Sequence, residues 1–244
     1  MMILLKRFIA YLKVIMQIIT KNPGRVNKRD LFKYFPDWWS SLDPGRNPIS
    51  DRRPWIAFAA IRYLESILTK NMHVYEYGSG GSTLFFAERV QEVISTEHNK
   101  DWYRQVLEEI NRAGITNCHI RLFQPGPAAS VKQDLSDPDA YISSDDNYPG
   151  MSFREYASSI DSYPDRYFDV IFIDGRSRPS CFKHAERKLK QGGYLILDNA
   201  ETRYYSYIHK SLGNNKWNKI EFVGLFPYIY HYSETCIWQK IDTA

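Results

Sequence analysis

The chain has 244 residues, of which 43% are hydrophobic and 25% are charged, a composition typical of a folded globular protein. Its three cysteines, Cys118, Cys181 and Cys236, lie far apart, so neither a disulfide framework nor a zinc site is predicted and a reducing, cytoplasmic setting is expected. The net charge of +4 combines +7 in residues 1–29 with −3 in the rest, which disfavours nucleic acid as a partner of the main body.

Residues 1–21 are predicted to form an amphipathic helix. The run is mostly apolar, and Lys6, Lys13 and Gln17 recur at spacings that place them on one helix face. Its internal charges argue against a membrane-spanning helix, and no signal-peptide cleavage pattern follows. Two interpretations stay open: a helix lying on the anionic inner face of a membrane, or a helix packed on the body or on a second subunit.

Residues 22–70 are predicted to form a linker, an aromatic cap and a helix. Turn formers occur at residues 22–24 and 43–45, on either side of the aromatic stretch 34–39. An amphipathic helix is predicted from Trp55 to Leu68, opened by Pro54.

Residues 71–244 alternate between predicted strands and helices. Five strands are predicted at residues 73–77, 93–97, 118–123, 169–174 and 193–198. Residues 125–150 are predicted to be irregular, and two final runs, residues 219–225 and 234–241, to pair as an antiparallel hairpin. The pattern indicates an α/β domain with a mostly parallel sheet, in which ligands bind beyond the carboxyl ends of the strands.

A glycine-rich turn follows the first of these strands. Gly78, Gly80 and Gly81 allow a tight turn and a close approach of the backbone to a ligand. Ser82 and Thr83 are expected to cap the next helix, whose amino end favours an anionic group. Glu97 ends the second strand about 20 residues later, where a nucleotide-binding βαβ unit places the carboxylate that binds ribose hydroxyls.

The order Glu76-x-Gly78-x-Gly80 resembles motif I of the class I S-adenosylmethionine-dependent methyltransferases. The resemblance spans residues 74–240 and implies a Rossmann-like, doubly wound sheet with a C-terminal antiparallel hairpin, here preceded by an N-terminal helical extension. It implies S-adenosylmethionine as the cofactor. The residues that it assigns to the methionine end are Glu76, Gly78, Ser79, Gly80, Gly81 and Ser82, and it assigns Glu97 to the ribose.

Acidic residues end the next two strands. Asp174 follows the fourth strand, and Asp198-Asn199 follow the fifth. The chain is similar here to catechol-type and macrolide-sugar O-methyltransferases, in which such residues hold a divalent metal. This implies Asp174, Asp198 and Asn199 as ligands of Mg²⁺, with Asp174 catalytic. Alternatively, these side chains orient the acceptor directly, bind a water, or cap the following helix. The sequence Asp-Gly-Arg also departs from the Asp-Ala-x-Lys of the catechol-type family.

Three further polar residues follow Asp174. Arg176 and Arg178 are candidates for binding a carboxylate or phosphate of the substrate, or for pairing with Asp174 or Glu97. His184 is a candidate general base, although a hydrogen-bonded or solvent-facing helix histidine is the more common case.

The sequence therefore favours an S-adenosylmethionine-dependent O-methyltransferase that acts on a saccharide, a glycolipid or another small hydroxyl acceptor. Two alternatives stay open. One is an NAD-dependent oxidoreductase, against which the glycine order and the terminal hairpin count. The other is a non-catalytic, membrane-associated protein that binds S-adenosylmethionine.

Overall fold

A seven-stranded sheet lies at the centre of the protein, whose computed structural model describes residues 2–128 and 134–241. The strands of the sheet are β1 (His73–Tyr77), β2 (Glu92–Glu97), β3 (Cys118–Leu122), β6 (Phe168–Ile173), β7 (Leu189–Leu197), β8 (Trp217–Leu225) and β9 (Tyr232–Lys240). The short strands β4 (Gly126–Pro127) and β5 (Met151–Ser152) form a separate pair. The sheet order is β3-β2-β1-β6-β7-β9-β8, in which β9 is antiparallel to both of its neighbours.

Helices cover both faces of this sheet. They are α1 (Met2–Lys21), α2 (Lys28–Lys33), α3 (Phe35–Ser41), α4 (Phe58–Ile67), α5 (Gly81–Ala87), α6 (Lys100–Arg112), α7 (Arg154–Ser158), α8 (Arg178–Ala185) and α9 (Ser206–Leu212). Alternate side chains of each central strand enter different clusters: Val170 and Phe172 pack with α1 to α5, whereas Ile171 and Ile173 pack with α7 to α9. The predicted doubly wound α/β fold with a C-terminal hairpin is therefore confirmed.

The region before β1 differs from the prediction in detail. The aromatic stretch 34–39 is mostly helical, because α3 buries Trp38 completely and its indole N–H donates to the carbonyl of Ile229 (2.9 Å). Helix α4 begins at Phe58 and not at Trp55, since the chain bends at Trp55 and Ile56 and is not helical before Phe58. The division of the chain at residues 21 and 70 stays a prediction. Residues 129–133 of the segment predicted to be irregular, and residues 242–244, lie outside the described residues.

Helix α1 packs on the body through one face only. Tyr11, Val14 and Ile18 are buried against the sheet and α3, as expected for a helix docked on the domain. Lys6 and Lys13 are exposed, as their shared helix face predicts. Within residues 2–128 and 134–241, no helix has the length and apolar character that crossing a membrane requires.

The chain order of the strands reverses beside β1. From β1 the sheet continues to β2 and β3 on one side and to β6 and β7 on the other, which opens a crevice at their carboxyl ends. The sequence predicts ligand-binding residues at this edge of the sheet.

Candidate functional site

A cavity of about 660 Å³ lies at the carboxyl ends of β1, β2, β6 and β7. Its volume is in the range of small-molecule sites. The wall contains all of the predicted site residues except Glu76 and His184. The predicted residues that line it are Gly78, Ser79, Gly80, Gly81, Ser82, Glu97, Asp174, Arg176, Arg178, Asp198 and Asn199.

The three glycines of the turn differ in what a side chain at each position would contact. Gly78 has φ +94°, and a Cβ there would lie 2.8 Å from Gly175 Cα, so only glycine fits. A Cβ on Gly81 would lie 2.0 Å from the carbonyl oxygen of Pro48. Gly80 is extended, and a Cβ there would make ordinary contact with Trp102 at 3.7 Å. Gly80 is therefore the glycine of the turn at which a side chain changes the cavity with least disturbance of the fold.

Glu76 lies beneath the turn and does not line the cavity. Its Oε2 accepts hydrogen bonds from the hydroxyls of Thr83 (2.5 Å) and Ser95 (2.6 Å), and Thr83 Oγ1 in turn accepts from the N–H of Gly80 (2.9 Å). Thr83 therefore supports the turn from inside α5, and the helix cap predicted at Ser82 and Thr83 lies at Gly80. Complete burial raises the pKa of Glu76 to about 7. In this geometry Glu76 fastens the turn and does not itself face a ligand.

Glu97 ties the glycine turn to the start of α6. Its Oε2 accepts from the backbone N–H (3.0 Å) and hydroxyl (3.2 Å) of Ser79, and its Oε1 from the N–H groups of His98 and Asn99 (both 2.8 Å). Burial alone would raise the pKa of Glu97, but the contacts with His98 and Asn99 outweigh it, so the pKa is lowered. The group is thus an ionised carboxylate at the cavity wall, as a ribose-binding site requires. A ribose hydroxyl would compete with the Ser79 hydroxyl, the one rotatable donor among these four.

Arg178 is the cation between the acidic strand ends. Although its side chain is 93% buried, its guanidinium donates to Asp174 Oδ1 (2.9 Å), to Asn199 Oδ1 (3.1 Å) and to the carbonyls of Gly175 and Asp198. Burial raises the pKa of Asp174 to about 6, although Arg178 lowers it. Burial and the nearby Asp174 raise the pKa of Asp198 well above its ordinary value.

The same contacts show that Asp174, Asp198 and Asn199 do not fit a divalent metal as they are arranged. One carboxylate oxygen of Asp174 and the amide oxygen of Asn199 accept from Arg178, and Asp198 Oδ1 accepts from Thr235 (2.7 Å). A guanidinium stands where the shared ion would bind, and a metal would have to displace it. The predicted Mg²⁺ site is therefore not supported.

Arg176 and Gly175 complete this part of the wall. Arg176 pairs with Asp145 (2.5 Å), and its Nε is buried without a hydrogen-bond partner among the described residues. A Cβ on Gly175 would lie 1.9 Å from the hydroxyl of Tyr156, which explains glycine where the catechol-type pattern has alanine.

His184 is not positioned as a general base. It does not line the cavity at the strand ends, and both ring nitrogens are engaged: Nδ1 lies 2.7 Å from Asp161 Oδ2, and Nε2 lies 3.1 Å from the hydroxyl of Tyr141. The prediction rested on spacing along α8, and spacing alone does not show which helix face meets the cavity.

Other residues that line the cavity were not predicted from the sequence. Trp102 and Tyr148 supply aromatic surface, and the indole N–H of Trp102 donates to the carbonyl of Ser79 (2.5 Å). His231, from the loop between β8 and β9, also lines the cavity. The placement of Trp102 in the first turn of α6, five residues after Glu97, could have identified it.

Comparisons with known proteins agree on the fold. No protein-family model and no curated protein matches the sequence. An O-methyltransferase from Bacillus cereus, solved in complex with SAH, aligns over 92% of this chain and 96% of its own length, with 12% identity and a TM-score of 0.53. A methyltransferase from Geobacter sulfurreducens aligns over 90% and 99%, with 13% identity and a TM-score of 0.51. An rRNA methylase from Streptococcus thermophilus aligns over 74% and 93%, with 14% identity and a TM-score of 0.51.

These proteins are similar to this chain in architecture across most of their length. The chain therefore has the fold of the class I S-adenosylmethionine-dependent methyltransferases, and the resemblance predicted from the glycine turn is confirmed at the level of the fold.

Proposed function

We propose that this protein is an S-adenosylmethionine-dependent methyltransferase. The observation that carries the proposal is the cavity at the strand ends, in which the glycine turn and the ionised Glu97 share one wall. Gly80 leaves the backbone open to a ligand, and Trp102 and Tyr148 offer flat apolar surface suited to an adenine ring. These residues together thus fit this cofactor.

In this proposal the residues of the turn, Gly78 to Ser82, hold the methionine end and Glu97 holds the ribose. When bound, the cofactor supplies an electrophilic methyl group. The chain positions the acceptor, and such positioning is the main source of catalysis expected for a transfer that needs an in-line nucleophile. Arg178 neutralises Asp174 and fixes its orientation, which leaves the second carboxylate oxygen of Asp174 to accept from a substrate hydroxyl.

The acceptor in this proposal is a hydroxyl of a saccharide, a glycolipid or another small molecule. One protein of similar fold is an O-methyltransferase and another is an rRNA methylase, so fold alone does not choose between them. The acidic balance of residues 30–244 favours a small acceptor over RNA.

The test is transfer of a radiolabelled methyl group from S-adenosylmethionine to a cell-envelope extract. We expect label in the glycan fraction with the wild-type protein and none with Gly80→Val. Binding of the cofactor without any transfer would favour the non-catalytic alternative, and label in RNA would contradict the acceptor class.

We also propose that α1 holds the protein on an anionic membrane surface. Its outer face carries a stripe of exposed apolar side chains over an arc of about 140°. They are Leu4 (55% exposed), Leu5 (59%), Phe8 (46%), Ile9 (43%), Leu12 (46%) and Met16 (61%). A stripe of this size on a surface helix is typical of an interaction site.

Charge supports an anionic membrane as the occupant. Arg7 pairs with Asp43, and Arg25 with Glu221 and Glu234, so these two cations are neutralised within the protein. Five further cations in residues 1–29 have no ion-pair partner among the described residues: Lys6, Lys13, Lys21, Lys28 and Arg29. Lys6 and Lys13 border the apolar stripe. A second copy of the chain on this face would bring like charges together, whereas anionic lipid satisfies both features.

Vesicle flotation tests this surface with the triple variant Leu5→Ser, Leu12→Ser, Met16→Ser. These side chains are exposed, so the fold should survive, whereas deletion of α1 would remove the buried Tyr11, Val14 and Ile18. We expect the wild type to float with phosphatidylglycerol vesicles but not with phosphatidylcholine vesicles, and less at high salt. The triple variant should stay unbound, and Ile241→Ser, a matched exposed control directly after β9, should float. Flotation of the triple variant to the same extent as the wild type would overturn the proposal. So would a wild-type dimer that the three substitutions dissociate, because the stripe would then be an interface between two copies.

A further inference from the structure

A second cavity of about 340 Å³ adjoins the first. The two cavities have part of their walls in common, namely Gly175, Arg176, Arg178, Asn199 and His231. The second cavity therefore opens beside the acidic strand ends, on the side away from the glycine turn. A molecule bound there would reach the junction at these five residues.

The wall of the second cavity is rich in hydroxyl groups. It includes serines, threonine and tyrosines from four separate segments, among them Ser143, Ser177, Thr202, Tyr204 and Ser233. Tyrosine supplies both a hydroxyl and a flat ring that packs on the C–H face of a sugar. This combination suits a ligand with many hydroxyl groups of its own.

A chain of hydrogen bonds fixes the polar groups of this wall. Arg178 donates to the amide oxygen of Asn199 (3.1 Å), the amide nitrogen of Asn199 donates to Ser233 Oγ (2.9 Å), and Ser233 Oγ donates to Glu201 Oε1 (2.8 Å). Ser233 is only 3% exposed, so the chain is held by its surroundings. Such pre-oriented donors and acceptors favour a ligand of defined hydroxyl geometry.

The two arginines of the wall are already paired with carboxylates, whereas Glu201 has no cationic partner among the described residues. Arg178 is bound to Asp174 and Arg176 to Asp145, while Glu201 accepts from Ser233 and from the N–H of Glu234 (3.0 Å). Both arginines are thus already bound to carboxylates, and the negative charge of Glu201 would repel a carboxylate or a phosphate. The cavity therefore fits an uncharged ligand better than an anionic one.

His231 stands at the junction with a ring that is not engaged. The other five histidines each have a partner: His73 lies near Asp169, His98 near Glu97, His119 near Glu92, His184 near Asp161, and His209 near the carbonyl of Ala200. His231 has no such partner among the described residues, and it lines both cavities.

The loop that carries His231 is held in place by the N-terminal segment. Trp38 donates to the carbonyl of Ile229, the N–H of Tyr228 donates to Ser41 Oγ (3.0 Å), and the hydroxyl of Tyr228 donates to Asp51 (2.9 Å). A histidine on a loop with three such anchors is positioned, not merely exposed.

We propose that the second cavity binds the methyl acceptor as an uncharged, polyhydroxylated unit such as a neutral sugar, and that His231 is the general base at the junction. The inference rests on the proposed methyltransferase function. The acceptor oxygen forms the new bond to the methyl carbon, and the carbon–sulfur bond of the donor breaks with its electron pair going to sulfur. The hydroxyl proton passes to the imidazole of His231 and from there to water.

The binding half is tested by saturation-transfer NMR with methyl glycosides of neutral hexoses in the presence of saturating SAH. Glucose 6-phosphate and catechol serve as comparison probes. We expect signal from the glycosides and weaker signal from both comparison probes. Tyr204→Leu should weaken glycoside binding about tenfold and leave the calorimetric affinity for SAH unchanged. A wild-type protein that binds SAH but no glycoside, or that prefers the phosphate or catechol, would overturn the inference while leaving the proposed function intact. Failure to bind SAH would instead remove the proposed function.

The role of His231 is tested with His231→Gln against His119→Gln, a control on β3 that lines neither cavity. We expect His231→Gln to retain SAH and glycoside binding but to lose labelled methyl transfer on the order of a hundredfold or more. The control should lose neither. Equal transfer rates in the two variants would overturn the assignment of His231.

Discussion

Replacing Arg178 by methionine tests the claim that a buried cation, and not a metal, holds the acidic strand ends. The change keeps an unbranched side chain of moderate length but removes the guanidinium that contacts the side chains of Asp174 and Asn199 and three backbone carbonyls. Breaking a buried ion pair in this way costs about 3–5 kcal/mol, because an uncompensated charge stays behind. Arg176→Met is the matched control. Arg176 is 37% exposed and its pair with Asp145 lies near the surface, so its loss should cost about 0–1 kcal/mol.

The cost of Arg178→Met should rise with pH. The folded pKa of Asp174 is about 6 against an ordinary 3.8, so the folded state binds more protons and stability falls as pH rises through that interval. Removing Arg178 raises the folded pKa of Asp174 further, which extends the loss to higher pH. At about pH 5 the carboxyl is largely protonated in both proteins, and the difference between them shrinks.

The assay is urea unfolding of the wild type and both variants at about pH 5 and pH 8, with the midpoint and slope compared. We expect the Arg178 variant to lose several times more stability than the Arg176 variant at the higher pH, and the gap to narrow at the lower pH. Equal losses in the two variants, or a loss for Arg178→Met that does not change with pH, would refute the reasoning.

Three other predictions follow from the same geometry. Glu76→Gln removes a buried acid whose pKa is about 7 in place of 4.5. As pH rises across that interval, the free energy of unfolding of the wild type should therefore fall by about 3 kcal/mol relative to that of the variant. Parallel pH–stability curves for the two proteins would contradict this. Gly81→Ala should lower the unfolding temperature, because its Cβ would lie 2.0 Å from a carbonyl oxygen, whereas Gly80→Ala should not; equal melting temperatures would count against the geometry. Exhaustive chelation should leave methyl transfer unchanged, and activity lost to chelator and restored by Mg²⁺ would show that a metal displaces Arg178.

Much of the fold was predictable because the strands are short apolar runs bounded by turn formers. Phe168–Ile173 is such a run, and burial on both faces of the sheet leaves few other structures for it. The aromatic stretch 34–39 was harder, since Tyr, Phe and Trp have no strong helix preference. Helix α3 forms there because burial of Trp38 against the hairpin loop stabilises it, and that contact joins residues far apart in sequence.

The candidate site was predictable where residues end neighbouring parallel strands. Glu97, Asp174 and Asp198 meet because the sheet brings the carboxyl ends of its strands to one edge. Spacing along α8 did not show which side of the helix faces the cavity. His184 was therefore predicted at the site, whereas its ring faces Asp161. His231 belongs to no sequence motif. It lies at the cavity because contacts with the N-terminal segment hold its loop in place.

Calorimetric titration of the protein with S-adenosylmethionine, SAH and NAD tests the central claim most directly. We predict saturable one-to-one binding of the first two, no binding of NAD, and loss of that binding in Gly80→Val at an unchanged unfolding temperature. Binding of NAD, or equal affinity of the wild type and Gly80→Val for SAH, would contradict the assignment of the cavity.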